Sequence, residues 1–79
     1  MDFNSYSSRK EYLKFLITNI PESPGVYQYY DINNVIIYIG KAKNLKKRVS
    51  QYFNKNKLSS KTILLVSKIY NIEYIVVDN

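Results

Sequence analysis

Two phenols and two fixed cations lie within one short stretch of this 79-residue chain. Their types suit a phosphodiester better than a carbonyl or a sugar, because cations neutralise phosphate oxygens and phenols donate hydrogen bonds to them. Hydrolysis of a phosphodiester needs an activated water and a counter-charge for the transition state, and these groups are suited to both tasks. The four residues are Tyr38, Lys41, Arg48 and Tyr52.

A strand, a turn and a helix are predicted to bring these four groups together. The β-branched and aromatic run Val35–Ile39 predicts a strand, and Gly40 is predicted to end it in a sharp turn. Asn44 is a good N-cap for a helix over Leu45–Phe53, whose apolar residues recur on one face. The prediction places Tyr38 at the strand end, Lys41 on the turn, and Arg48 and Tyr52 on the inner flank of the helix.

The rest of the chain completes the predicted fold. Two strands joined by a four-residue turn rich in Asp and Asn form an antiparallel hairpin. Three helices and a third strand then give an α+β fold, a small three-stranded antiparallel sheet flanked by helices. The remaining elements are a helix that starts at a Ser8–Glu11 capping box, a strand at Gly25–Tyr30, a turn at Asp31–Asn34, a helix over Lys61–Tyr70 capped by Ser59 or Ser60, and a strand over Ile72–Val77.

The composition excludes several kinds of chemistry. The chain has no cysteine and no histidine, which removes disulfides, thiolate metal sites and the commonest general base. Catalysis would have to use tyrosine, lysine, arginine or carboxylates. A hydrophobic fraction of 46% argues against disorder, and no apolar run is long enough to cross a membrane. With no signal peptide at its start, we expect a single cytoplasmic domain over residues 1–79.

Positive charge is the most prominent bulk property. Twelve Lys and Arg residues against six Asp and Glu give a net charge of +6, which favours an anionic partner, nucleic acid first. A solvated basic surface is the plainer alternative. Likewise, Tyr27 and Tyr38 could be ordinary cross-strand partners, and Arg48 could be a surface arginine. The lysines that could meet phosphate, or merely be solvated, are Lys43, Lys46 and Lys47.

Two tripeptides and the residues after them resemble the GIY-YIG nuclease family. Gly25-Val26-Tyr27 matches the first motif, with valine for isoleucine, and Tyr38-Ile39-Gly40 matches the second. The run Gly40–Leu45 resembles the UvrC branch of that family, and the resemblance extends from about Tyr12 onward. It implies that the catalytic residues are Tyr27, Tyr38, Lys41, Arg48 and Tyr52, with Gly25 and Gly40 shaping the backbone.

The resemblance implies a phosphodiester hydrolase, an endonuclease of bacterial nucleotide excision repair and the SOS response to DNA damage. Such a domain cuts damaged double-stranded DNA on the 3′ side of a lesion marked by UvrB, in the UvrA pathway, with Mg²⁺ or Mn²⁺. Tyr27 or Tyr38 would be the general base, and residue types leave that choice open. Arg48 would clamp the transition state, and Tyr52 would donate a hydrogen bond. Lys41 would orient water or neutralise charge.

The family's metal-binding glutamate has no counterpart in this chain. It lies on the helix after the third strand, beyond Asn79, and Glu73 does not match its position. We therefore expect residues 1–79 to be a fragment of a longer protein that lacks the next C-terminal helix. Alone, the fragment would bind phosphate but hold no metal tightly and cut no DNA, with one apolar face uncovered. The alternative function is a noncatalytic basic module that binds nucleic acid or docks a protein.

Overall fold

Three strands and three helices make up the computed structural model, which describes residues 6–54 and 59–77, with side chains from residue 8 onward. The strands form one antiparallel sheet in the order β2-β1-β3, so β1 is central and β2 and β3 are edges. This confirms the predicted α+β class and the three-stranded antiparallel sheet. The elements are α1 (Tyr6–Thr18), β1 (Gly25–Tyr30), β2 (Ile36–Ala42), α2 (Leu45–Tyr52), α3 (Ser60–Ser67) and β3 (Asn71–Val76).

One face of the central strand forms part of the core. Gly25, Tyr27 and Tyr29 are buried, whereas the residues between them are only half-buried. This alternation follows from the pleat, which points successive side chains to opposite faces of the sheet. The buried apolar residues that form the core are Leu13, Ile20, Tyr27, Tyr29, Leu45, Val49, Ile69 and Ile72.

The β1–β2 hairpin closes through the predicted turn. The Asp31 carboxylate accepts the Asn33 N–H at 2.9 Å and the Val35 N–H at 3.0 Å. Asn34 adopts a positive φ of 62°, a conformation that asparagine tolerates better than most residues. These bonds set the register in which Tyr29 lies opposite Tyr38.

The predicted end of the second strand is wrong. Strand β2 continues through Gly40 and Lys41 to Ala42, which pairs with Gly25 at the start of β1. Gly40 therefore does not form a turn, and Lys41 lies within the ladder opposite Val26. The reason is tertiary, since β1 offers backbone partners as far as Gly25 and the pairing uses all of them. The strand also begins one residue later than predicted, at Ile36.

Several helix boundaries also differ from the predictions, and α2 ends at Tyr52, one residue before the predicted Phe53. Helix α1 already includes Tyr6, so Ser8 lies inside the helix and is not its N-cap. Helix α3 ends at Ser67, three residues before the predicted end. The Tyr70 N–H instead donates to the Tyr30 carbonyl at 2.7 Å, so the chain is already held beside the end of β1 before β3 begins at Asn71. The cap of α3 is Ser59, one of the two predicted candidates.

Helix α2 is tied at its start to the connector before β1. The Asn44 side chain accepts the Lys47 N–H at 3.0 Å, which confirms the predicted N-cap. The Leu45 N–H donates to the Ser23 carbonyl at 2.9 Å. The connector thus satisfies an amide that would otherwise be unpaired at the helix start.

Burial fixes the rotation of α2. Leu45 and Val49 are fully buried one turn apart, and Tyr52 and Phe53 pack against the same core. With this stripe held against the sheet, Arg48 lies at its margin, one turn before Tyr52. None of the helices in the described ranges is long and apolar enough to cross a membrane.

Candidate active site

Four tyrosines from three elements form a compact group, which we name the tyrosine cluster: Tyr27 and Tyr29 on β1, Tyr38 on β2 and Tyr52 on α2. Every pair of their ring centroids is separated by 5.2 to 6.1 Å. The hairpin brings the strand tyrosines together, and the buried stripe of α2 brings Tyr52 to them. The structure therefore assembles three of the predicted site residues, together with one that was not predicted.

The phenols differ in accessibility. Tyr27 is 1% exposed and donates from its hydroxyl to the Tyr52 hydroxyl at 3.2 Å. Tyr38, on the edge strand, is 37% exposed. Of the four tyrosines in the cluster, Tyr38 is therefore the most accessible to a ligand in solution.

Arg48 adds a cation beside the cluster. Its guanidinium carbon lies 5.6 Å from the centroid of the Tyr52 ring, within the range of a cation–π contact. Hydrogen bonding and electrostatic interaction with Tyr27, followed by electrostatic interaction with Tyr52, raise the pKa of Arg48. The guanidinium therefore keeps its charge and its planar fork of donors at neutral pH.

Two phenols of the cluster are held neutral. Burial, followed by hydrogen bonds with Tyr27 and Tyr38, raises the pKa of Tyr52 well above its ordinary value. Burial also raises the pKa of Tyr29, and the neighbouring phenols add to the effect. At neutral pH both residues keep their protons, so Tyr52 can act as a hydrogen-bond donor.

These raised pKa values predict a loss of stability in alkali. The native state holds the Tyr29 proton more tightly than the unfolded state does, so the associated stability is fully present below about pH 10 and is lost as the pH rises through the raised value. Urea unfolding between about pH 8 and about pH 11.5 should therefore show a falling free energy of unfolding. Tyr29→Phe should reduce that slope, whereas the control Tyr74→Phe should not. Equal slopes in wild type and Tyr29→Phe would contradict the prediction.

An open basic pocket adjoins the cluster at Arg48. Its volume is about 390 Å³, and four of its lining side chains are cationic. A pocket lined by four cations is suited to an anionic group such as a phosphate. The lining residues are Lys41, Ala42, Lys43, Asn44, Lys47, Arg48 and Gln51.

The predicted lysines separate into two groups. Lys41, Lys43 and Lys47 line the basic pocket. Lys46 does not line it, and its ammonium donates to the Thr18 carbonyl at 3.1 Å, near the end of α1. A phosphate contact by Lys46 would have to replace that bond, so its position favours a structural role.

Gly40 has a role that differs from the one predicted. No glycine in the described residues has a positive φ, so backbone freedom is not the reason for glycine here. A Cβ at Gly40 would overlap the ring and hydroxyl of Tyr27, its partner in the ladder. At Gly25 a Cβ would overlap the Ile75 carbonyl. Both glycines admit close neighbours, and Gly40 makes the room in which the Tyr27 phenol lies.

The described residues supply no carboxylate set for a metal ion. Within residues 6–54 and 59–77, no group of three His, Cys, Asp or Glu side chains is placed to hold one. Glu73 accepts a hydrogen bond from the Tyr30 hydroxyl at 3.1 Å and lies opposite Gln28, a register position of the other sheet face from Tyr27. The side chains of Asp2 and Asp78 lie outside the described residues. Thus the residues described here do not by themselves fit the expected Mg²⁺ or Mn²⁺.

Residues 23–79 match the family described as the UvrC-like GIY-YIG domain. The chain belongs to this family. Among curated relatives, UvrABC system protein C of Bacteroides fragilis is 53% identical over 79 residues, which cover 100% of this chain and 13% of the relative. The protein of the same name from Flavobacterium psychrophilum is 58% identical over 65 residues, covering 82% and 11%. The chain thus spans about an eighth of the length of such relatives.

Solved structures of the family have the same fold. The magnesium-bound GIY-YIG N-terminal endonuclease domain of UvrC from Thermotoga maritima superposes with a TM-score of 0.75 at 38% identity, covering 87% of this chain and 74% of that one. A point mutant of that domain, bound to its catalytic divalent cation, gives 0.76 at 36% identity, with 87% and 73% covered. The fold of this chain is therefore that of the Thermotoga domain, which is an endonuclease domain bound to its catalytic divalent cation.

Tyr29 is the cluster member that sequence reasoning missed. The signal was present, because Tyr27 and Tyr29 are two residues apart in a strand and must therefore share a face.

Proposed function

We propose that residues 1–79 form one endonuclease domain of a longer bacterial, cytoplasmic protein of nucleotide excision repair, which incises the damaged strand 3′ of a lesion. The observation that supports this most is the junction of the tyrosine cluster with the basic pocket at Arg48. A binding module would need the cations alone. Adjacent phenols beside an open cationic pocket suit hydrolysis of a phosphodiester.

The roles of the side chains follow from their positions. Tyr38, the most exposed phenol of the cluster, is the proposed general base. Lys41 and Arg48 are the proposed cations, with Arg48 clamping two phosphate oxygens as charge develops on them. Tyr27 and Tyr52 hold one another through their hydroxyls, and Tyr52 donates towards the phosphate.

The proposed partners and cofactor come with the family. The substrate is damaged double-stranded DNA presented by UvrB in the UvrA pathway. A divalent cation, Mg²⁺ or Mn²⁺, belongs to the reaction of the intact protein, as the magnesium-bound relative suggests. The described residues lack an acidic set for it, so we propose that this chain alone binds DNA without cutting it, as a noncatalytic module would.

A strand-mapping assay tests the function. The intact protein that carries this domain, loaded by UvrA and UvrB on an end-labelled duplex with one lesion, should nick the damaged strand on its 3′ side when Mg²⁺ is present. The same assay should compare residues 1–79 with a version extended through the next helix, and only the extended version should cut. Failure of the intact protein to cut 3′ of the lesion would refute the proposal. Equal cutting by the short and extended chains would place the metal ligand within residues 1–79.

DNA binding by the chain itself should be weak and independent of sequence. Lysines in the pocket meet phosphates, and nothing in the described residues resembles a base-reading helix. We expect a dissociation constant of about 10⁻⁴–10⁻⁶ M at physiological salt, weakening as salt rises. Removing Lys43 and Lys47 together should lower the salt slope by about two, because each phosphate contact contributes about one.

A charge-matched control separates contact from net charge in that experiment. Lys14→Ala with Lys68→Ala removes the same charge from exposed positions outside the basic pocket and should leave the salt slope close to that of the wild type. Sub-micromolar, sequence-selective binding, or equal effects of the two pairs, would contradict the prediction.

A further inference from the structure

Tyr29 lies at the centre of the tyrosine cluster but cannot meet the substrate. Its side chain is 0% exposed. It stands two residues after Tyr27 on the central strand and directly opposite Tyr38 in the ladder. Because a fully buried side chain cannot contact DNA, any influence of Tyr29 on the reaction must pass through the residues around it.

The Tyr29 ring contacts its neighbours in two favourable geometries. It stacks on the Tyr38 ring, with centroids 5.9 Å apart and planes inclined by 27°. The Tyr52 ring meets it edge-on at 5.2 Å and 82°, and the Phe53 ring does so at 6.3 Å and 84°. Stacked and edge-to-face pairs are the arrangements that aromatic rings prefer. One buried ring therefore contacts both the edge strand and the end of α2.

Two of the tyrosines in contact with Tyr29 lie at positions where the fold alone holds them weakly. Tyr38 lies on an edge strand with its outer side in solvent, so its orientation depends on the rings packed on its inner side. Tyr52 is the last residue of α2, where helices tend to fray. We infer that Tyr29 is a positioning residue whose ring fixes the orientations of Tyr38 and Tyr52; only the kinetic consequence rests on the proposed function.

The hydroxyl of Tyr29 contributes differently from its ring. It is buried and has no hydrogen-bond partner among the described residues. A buried hydroxyl without a partner costs free energy, since it has lost its water. The ring therefore carries the positioning role, and phenylalanine should perform it as well as tyrosine does.

Three variants of the intact protein test whether the ring or the hydroxyl of Tyr29 positions the neighbouring tyrosines. Tyr29→Leu should lower kcat for incision by about tenfold to a hundredfold with KM for DNA within about twofold, because small misplacements of reacting groups are costly. Tyr29→Phe should keep kcat within about twofold of wild type and raise the thermal midpoint. Tyr29→Met, whose flexible side chain fills irregular space, replaces the leucine variant if that one does not fold.

Ile72→Ala is the matched control. Ile72 is 5% exposed and lies opposite Tyr29 on β3, so its truncation also removes apolar volume beside β1. It makes none of the ring contacts of the cluster. It should lower the thermal midpoint as Tyr29→Leu does, yet leave kcat within about twofold at temperatures well below that midpoint.

A spectroscopic measurement on this chain tests the positioning directly, whether or not the protein cuts DNA. With ¹³Cζ-labelled tyrosine, Tyr29→Leu should shift the Tyr38 and Tyr52 resonances and weaken the contacts between their rings, while Ile72→Ala and Tyr29→Phe should not. Unchanged Tyr38 and Tyr52 signals in a folded Tyr29→Leu protein would overturn the inference. Equal losses of kcat in Tyr29→Phe and Tyr29→Leu would also overturn it, by showing that the hydroxyl is what matters. Failure of the wild type to incise would refute the proposed function, but the spectroscopic test of the positioning role would remain valid.

Discussion

Arg48→Ala in the intact protein should reduce the rate of incision 3′ of a lesion by about 10²–10³-fold, the usual effect of removing one donor to a developing oxyanion. Arg48 stands where the basic pocket meets the tyrosine cluster, and its guanidinium interacts with the phenols of Tyr27 and Tyr52. Replacement by alanine removes this cation from the basic pocket and from the tyrosine cluster at once. Single-turnover incision of an end-labelled, lesion-bearing duplex measures the loss.

Two comparison variants separate the effect of the Arg48 guanidinium from that of positive charge alone. Arg48→Lys keeps the charge but loses the planar fork, so it should recover only part of the rate. Lys47→Ala removes a neighbouring pocket cation and should weaken binding with little change in the rate of the bound complex. Circular dichroism should show all three folded, because Arg48 and Lys47 are exposed. Wild-type incision by Arg48→Ala would remove the site from the reaction.

Gly40→Ala should both destabilise the fold and disable the site. The added Cβ would overlap the Tyr27 ring and hydroxyl, so either β2 or Tyr27 must move. A displaced Tyr27 would lose its 3.2 Å hydrogen bond to Tyr52. Overpacking of this kind typically costs about 1–3 kcal/mol. Urea unfolding measures the stability, and strand mapping measures a loss of incision that we expect to persist where the protein is fully folded.

Ile39→Ala is the control for the strand itself. Ile39 is the neighbouring residue in β2, and its side chain is 58% exposed. Replacing Ile39 with alanine should change the free energy of unfolding by no more than about 0.5 kcal/mol and leave incision intact. If Gly40→Ala were as stable and as active as Ile39→Ala, the close packing of Tyr27 on Gly40 would be needed neither for stability nor for incision.

Local sequence was enough to predict each element that depends on nearby residues. The Asn44 cap, the turn at residues 31–34 and the central strand Gly25–Tyr30 all rest on side chain–backbone bonds or on alternation within a few positions. Such interactions are set by residues adjacent in the chain, so they can be inferred without the fold. The motif residues that mark the family were visible for the same reason.

Boundaries and neighbours depended on partners distant in the chain. Strand β2 runs through Gly40 because β1 offers backbone partners as far as Gly25, and α3 ends early because Tyr70 bonds to Tyr30. No pattern within β2 or α3 contains that information. Local propensity yields to tertiary pairing wherever the two compete, since each ladder bond satisfies a donor and an acceptor.

The sequence by itself determined the fold class, the family and the residue types of the site: phenols, an arginine and lysines at set spacings. Only the tertiary structure decided how they meet. It buried Tyr27 and exposed Tyr38, tied Lys46 to the end of α1, and drew Tyr29 into the cluster. The physical reason is that exposure and ring contacts arise from the packing of α2 against two strands. They depend on the register between strands and on the rotation of a helix, which residue spacing along the chain does not specify.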